Sequence, residues 1–121
     1  MGILQLEFYE QASPEEMAQA KSLLARYKRH IALIAELEKI ENLAPKQDKA
    51  YNAYKSATTE VERAVRLIID DEIREMIDLR FIKGARRKDV LARYRFIDPS
   101  TVDRRINRGI ESVANSLKFF E

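Results

Sequence analysis

Apolar residues recur three and four positions apart along almost the whole chain, the period of a helix with one buried side. A helix start is written at Ser13-Pro14-Glu15-Glu16: Ser13 can cap, Pro14 suits the first helical position, and Glu16 stands where a capping-box carboxylate returns to the cap amide. Met17, Ala20, Leu24, Tyr27, Ile31, Ile34, Leu37, Ile40 and Leu43 then form one stripe. The spacing predicts a first helix reaching Ala44-Pro45, because the proline ring disfavours helical geometry in the residue before it. A second stripe through Tyr51, Tyr54, Thr58, Val61, Val65 and Ile68 predicts a second helix from Pro45, antiparallel to the first. Thr59 with Glu62 offers a new cap inside it, so the pattern leaves open one long helix or two. Tyr27, Tyr51 and Tyr54 are expected in the core, where each would bury a large apolar area.

A third helix is predicted from Asp70-Asp71-Glu72, with its acids in the first turn as the helix dipole favours. Ile73, Met76, Ile77 and Phe81 share one side of it, and Lys83-Gly84 ends it. A short fourth helix, Arg87 to Tyr94, is expected to bury Val90, Leu91 and Tyr94. After a turn through Arg95-Phe96-Ile97, Asp98 caps and Pro99 opens a fifth helix that buries Val102, Ile106, Gly109, Val113 and Leu117. Ile3 to Tyr9 alternates loosely and reads as an arm outside any sheet.

Composition agrees with this all-α plan. Only three Gly and three Pro interrupt 121 residues rich in strong helix formers. The chain has no Cys, which fits a reducing intracellular setting, and no run approaches the roughly 20 apolar residues of a membrane span. Met1-Gly2-Ile3-Leu4-Gln5-Leu6-Glu7 lacks the basic start of a secretion signal, so a cytoplasmic protein with no membrane partner is expected. His30, the one histidine, cannot anchor zinc without cysteines or a second histidine. The acids Asp70, Asp71, Glu72, Glu75 and Asp78 are explained by the helix dipole and not by a metal. With no Gly-rich phosphate loop and no Ser/His/Asp set, the expectation is no enzyme, no metal and no cofactor.

Charge changes the picture most. The whole chain carries a formal +2, yet Arg80 to Arg108 holds ten Lys or Arg (Arg80, Lys83, Arg86, Arg87, Lys88, Arg93, Arg95, Arg104, Arg105, Arg108) against three acids (Asp89, Asp98, Asp103). Charge concentrated in this way is the footprint of a surface that meets phosphates. At about 100° per residue, Ile106 and Gly109 return close to Val102, while Ser100, Arg104, Asn107 and Arg108 fall opposite, with Thr101 and Arg105 on the flanks. A short helix, a turn and a second helix with polar and Arg residues near its start form the helix-turn-helix arrangement, whose second helix enters the major groove. Ser100, Thr101, Arg104 and Asn107 are the candidate base readers, Arg104 first because its planar fork matches the two acceptors of guanine. Arg86, Arg87, Lys88, Arg105 and Arg108 are the candidate phosphate contacts.

The stretch Ile69 to Gly84, then Arg87-Lys88-Asp89-Val90, then Ser100-Thr101-Val102-Asp103-Arg104-Arg105-Ile106-Asn107-Arg108-Gly109 resembles region 4 of bacterial sigma factors. It is closest to the version in small phage late-gene activators of the RinA and ArpU type. Ser100, Thr101, Arg104 and Arg105 match the start of the family's recognition helix, and Arg87 and Lys88 its backbone-contacting first helix. Leu91 stands where a small Ala is usual, and Arg95-Phe96 where the family has a single Gly. The resemblance implies promoter DNA as ligand and host RNA polymerase as partner, within a bacterial host cell. The expected plan is an arm over residues 1–12, a hairpin over 13–68 for homodimerisation or partner contact, and a three-helix DNA-binding unit over 69–121. The expected function is a sequence-specific transcription regulator, a phage or prophage late-gene activator. Two alternatives stand beside it: a DNA-packaging recognition subunit, and an adaptor that grips polymerase without reading DNA.

Overall fold

The computed structural model describes residues 11–120, so most of the expected arm, residues 1–12, lies outside the described residues. The described chain is all-α, 77% helix without a strand. Its helices are α1 (Pro14–Glu38), α2 (Pro45–Arg66), α3 (Asp71–Ile77), α4 (Arg87–Arg93) and α5 (Pro99–Leu117), with a π-helical turn, Asp78–Ile82, after α3. No described helix is long and apolar enough to cross a membrane.

Helix starts follow their caps. The Glu16 amide donates to Ser13 Oγ at 3.1 Å and the Ser13 amide to Glu16 Oε1 at 2.8 Å, which closes the capping box that opens α1. The Ile73 amide donates to Asp70 Oδ1 at 2.9 Å at the start of α3, and the Ser100 amide to Asp98 Oδ2 at 3.2 Å at the start of α5. Such caps satisfy amides that the first turn of a helix leaves without partners.

Two features differ from the pattern, and one that it left open is decided. Helix α1 ends at Glu38, not at Ala44, and Ile40 is left exposed in the connection to α2. Helix α2 runs unbroken past Thr58-Thr59. The buried Thr58 hydroxyl donates back to the Tyr54 carbonyl at 2.9 Å and lies 3.1 Å from that of Lys55, so it is satisfied inside the helix. The expected third helix is α-helical only to Ile77 and continues as the π turn, where the Lys83 amide reaches the Asp78 carbonyl at 2.8 Å.

Helices α1 and α2 form the antiparallel hairpin, and both pack on α5. Leu24 and Tyr27 of α1, Val61, Ala64 and Val65 of α2, Ile77 and Phe81, and Ile110, Val113 and Leu117 of α5 share one core. A second, smaller core joins Met76, Val90 and Val102, ringed by Leu79, Leu91, Tyr94 and Ile97, and Ile106 packs against both cores. The stripe Ile73, Met76, Ile77, Phe81 therefore divides between two cores. Of the three hairpin tyrosines only Tyr27 is buried, bonded to Glu62. Tyr51 is half-buried with its hydroxyl donating to Glu38 at 2.8 Å, and Tyr54 stacks on His30 at 4.8 Å. Burial, then the Arg26 and Arg29 charges, hold the His30 imidazole below its ordinary value.

Gly109 marks the closest approach of α5 to α3. A Cβ there would stand 2.4 Å from Ile77 Cγ1 and 3.0 Å from Ile73 Cγ2, so only a residue without a side chain lets the two helices meet.

Candidate nucleic-acid interface

The buried side of α5 contains Val102, Gly109, Ile110, Val113, Ala114 and Leu117, with Ile106 half-buried. Ser100, Arg104, Asn107 and Arg108 are exposed on the other side, and Thr101 and Arg105 are half-buried on the flanks. The division by angle is as the pattern expected. Glu111, also exposed, falls in the middle of the outward side one turn beyond Arg108. Its charge would repel phosphates, which limits an anion-facing surface to the first half of α5.

The ten clustered cations separate into two groups. Arg87 grips Asp103 with both ends of its fork, Nε to Oδ1 at 3.2 Å and Nη2 to Oδ2 at 2.8 Å, latching the first turn of α4 onto α5. That hydrogen bonding, aided by the Arg87 charge, holds the Asp103 carboxyl below its ordinary value. Arg105 pairs with Glu72 at the start of α3. Arg93 pairs with Glu75 at 3.0 Å and Lys83 with Asp78 at 3.6 Å. Arg80 donates to the Ala85 carbonyl at 3.0 Å. Among the described residues, Arg86, Lys88, Arg104 and Arg108 make no ion pair. The Arg104 guanidinium donates to the Thr101 hydroxyl at 3.0 Å, and Arg95 lies over the Phe96 ring at 5.2 Å. Thus two of the five residues expected at phosphates, Arg87 and Arg105, are engaged as braces between helices. The other three, Arg86, Lys88 and Arg108, are open. Ser100 is turned back onto its own cap, where its hydroxyl bonds to the Asp98 carboxylate.

The pairing partners were not visible along the chain. Glu72, Glu75 and Asp103 each meet a cation from a different helix, and nothing in the local spacing marks those encounters.

The connection between α4 and α5 passes through Tyr94 (φ −108, ψ 40), and the Ile97 amide returns to the Tyr94 carbonyl at 2.9 Å. Among the described residues only Gly84 has positive φ, at 74°. The turn therefore needs no glycine, which is how Arg95-Phe96 is accepted. Phe96 projects at 88% exposure from its tip. Tyr94 points inward, where burial and then the neighbouring Glu75 carboxylate push its hydroxyl up to about 12.

A second feature is an open groove of about 1050 Å³ between the α2–α3 junction and the last turns of α5. Leu67, Ile69 and Phe119 line it, Ile69 at 95% exposure, and its rim carries both signs in Asp70, Glu111 and Arg108. Sequence reasoning missed it because Leu67 and Ile69 lie between the two helical stripes.

Compared with known protein families, characterised proteins and solved structures, the chain matches none.

Proposed function

We propose that this chain is a sequence-specific DNA-binding transcription regulator of the phage late-gene activator kind, acting with host RNA polymerase. The observation that supports it most is the set of unpaired cations, Arg86, Lys88, Arg104 and Arg108, at the start of α4 and along the first half of α5, beside paired arginines that brace the same helices. Unpaired cations on braced helices suit phosphate recognition, since no ion pair must break before DNA binds. In this account α5 enters the major groove. Arg104 addresses guanine, Thr101 and Asn107 line its path, and Ser100 follows once its hydroxyl leaves Asp98. Arg86, Lys88 and Arg108 hold phosphates, while Arg87 and Arg105 set the angles among α3, α4 and α5.

Most of the hairpin's apolar stripe is occupied within one chain, Ile31 and Ile40 excepted, and Ile69 is more exposed than either, so a homodimer contact is assigned to the groove around Ile69. Its exposed apolar side chains Leu67, Ile69 and Phe119 suit the self-complementary surface of a two-fold contact. Ile69→Lys should give a folded monomer, read by light scattering, whose melting temperature no longer rises with protein concentration. A wild-type chain that is monomeric at every concentration removes the dimer, and a ring of eight or more subunits favours the packaging alternative. Footprinting on the DNA that borders the chain's own coding region tests the main proposal. Protection of one site by the protein alone supports it, whereas protection that appears only with polymerase present favours the adaptor.

A further inference from the structure

Helix α1 carries four cations between Lys21 and Arg29 (Lys21, Arg26, Lys28, Arg29) and no acid among them. Lys21 and Lys28, two turns apart, lie within about 20° of each other around the helix. Both are exposed. The Lys28 ammonium stands 3.5 Å from the Lys83 carbonyl in the connection between the π turn and α4. Its stem lies so close to Gly84 that a Cβ there would fall 2.7 Å from Lys28 Cδ. Lys28 and Arg80 border a pocket of about 390 Å³ whose floor includes Phe81 and Gly84. Arg86 and Lys88, two of the unpaired cations of the α4–α5 surface, begin two residues beyond Gly84.

We infer that Lys21 and Lys28 extend the DNA surface onto α1, so that the duplex backbone runs from the start of α4 across the Gly84 loop to the hairpin. This rests on the DNA-binding role proposed above and adds a contact from outside the helix-turn-helix. Cations on both sides of the Gly84 loop suit the regular charge of a phosphate backbone, and the close seat of Gly84 on Lys28 joins α1 to the loop that leads into α4. These residues read no bases.

The test is a double variant, Lys21→Gln with Lys28→Gln, which keeps most of both stems and removes both charges. Binding to a 30-base-pair duplex is followed from about 50 to about 200 mM salt, a range over which each phosphate contact adds about 0.9 to the slope of log affinity against log salt. The slope should become shallower by about 2, so that the affinity lost across that range shrinks by about tenfold. The melting temperature should not move, all duplex sequences should be affected alike, and Lys21→Arg with Lys28→Arg should keep the wild-type slope. A wild-type chain that binds DNA and a Gln variant with the same slope overturn the inference. A melting temperature that falls while the slope stays assigns the lysines to packing instead. Failure of the wild type to bind any duplex overturns the DNA role itself, and this extension with it.

Discussion

The hairpin α1–α2 and the α4–turn–α5 unit draw on the same residue types but are held by different forces. The hairpin is held by apolar burial: Leu24 and Val61 are each 1% exposed in the larger core, and their helices run 25 and 22 residues. Helix α4 has seven residues and one fully buried side chain, Val90. Beyond the small core around Val90, it is tied to its neighbours by ion pairs, Arg87 with Asp103 and Arg93 with Glu75. A helix this short has little intrinsic stability, so burial of Val90 and these surface latches must hold it together. The difference teaches where binding chemistry can be accommodated. Of the unpaired cations, Arg86 and Lys88 flank the start of this short helix, whereas Arg104 and Arg108 stand on α5, which both cores anchor.

Substitutions that break the comparison should rank by burial. Leu24→Ala should cost about 2–5 kcal/mol and lower the stability of the whole chain in one urea transition, because α5 shares that core. Two separate transitions would mean that the hairpin and the C-terminal helices unfold independently. Gly109→Ala should cost about 1–3 kcal/mol by forcing α5 away from Ile77, read as a lower denaturation midpoint. Ser13→Ala should cost about 1 kcal/mol through the lost cap of α1. The latch is expected to respond to acid. The folded Asp103 carboxyl is held below its ordinary 3.8, so its stabilisation is present above that value and is lost as pH falls through the folded one. Asp103→Asn should therefore remove part of the loss in melting temperature between neutral pH and about pH 3, with no such effect on the capping of α1.

The sequence made helix starts legible and left helix ends obscure, for one physical reason. Ser13-Pro14 and Asp98-Pro99 carry their caps locally, so the starts of α1 and α5 could be read from a few residues. The end of α1 could not, because Leu37, Ile40 and Leu43 keep the helical period beyond Glu38, where the chain already turns toward α2. The buried and outward sides of α5 were legible from angle alone. Which arginines remain open was not, since Glu72 and Asp103 reach Arg105 and Arg87 only after three helices have assembled.

In the proposed complex α5 reads bases through Arg104 while the start of α4 holds the backbone. This division of roles is tested most directly by measuring the affinities of Arg104→Ala and Lys88→Ala for a panel of duplexes that differ at single base pairs. Arg104→Ala should lose about 1–3 kcal/mol on the preferred duplex and its preference at one position, whereas Lys88→Ala should weaken every duplex by the same factor. Unchanged affinity in both variants, or equal losses across the panel from Arg104→Ala, would contradict the account.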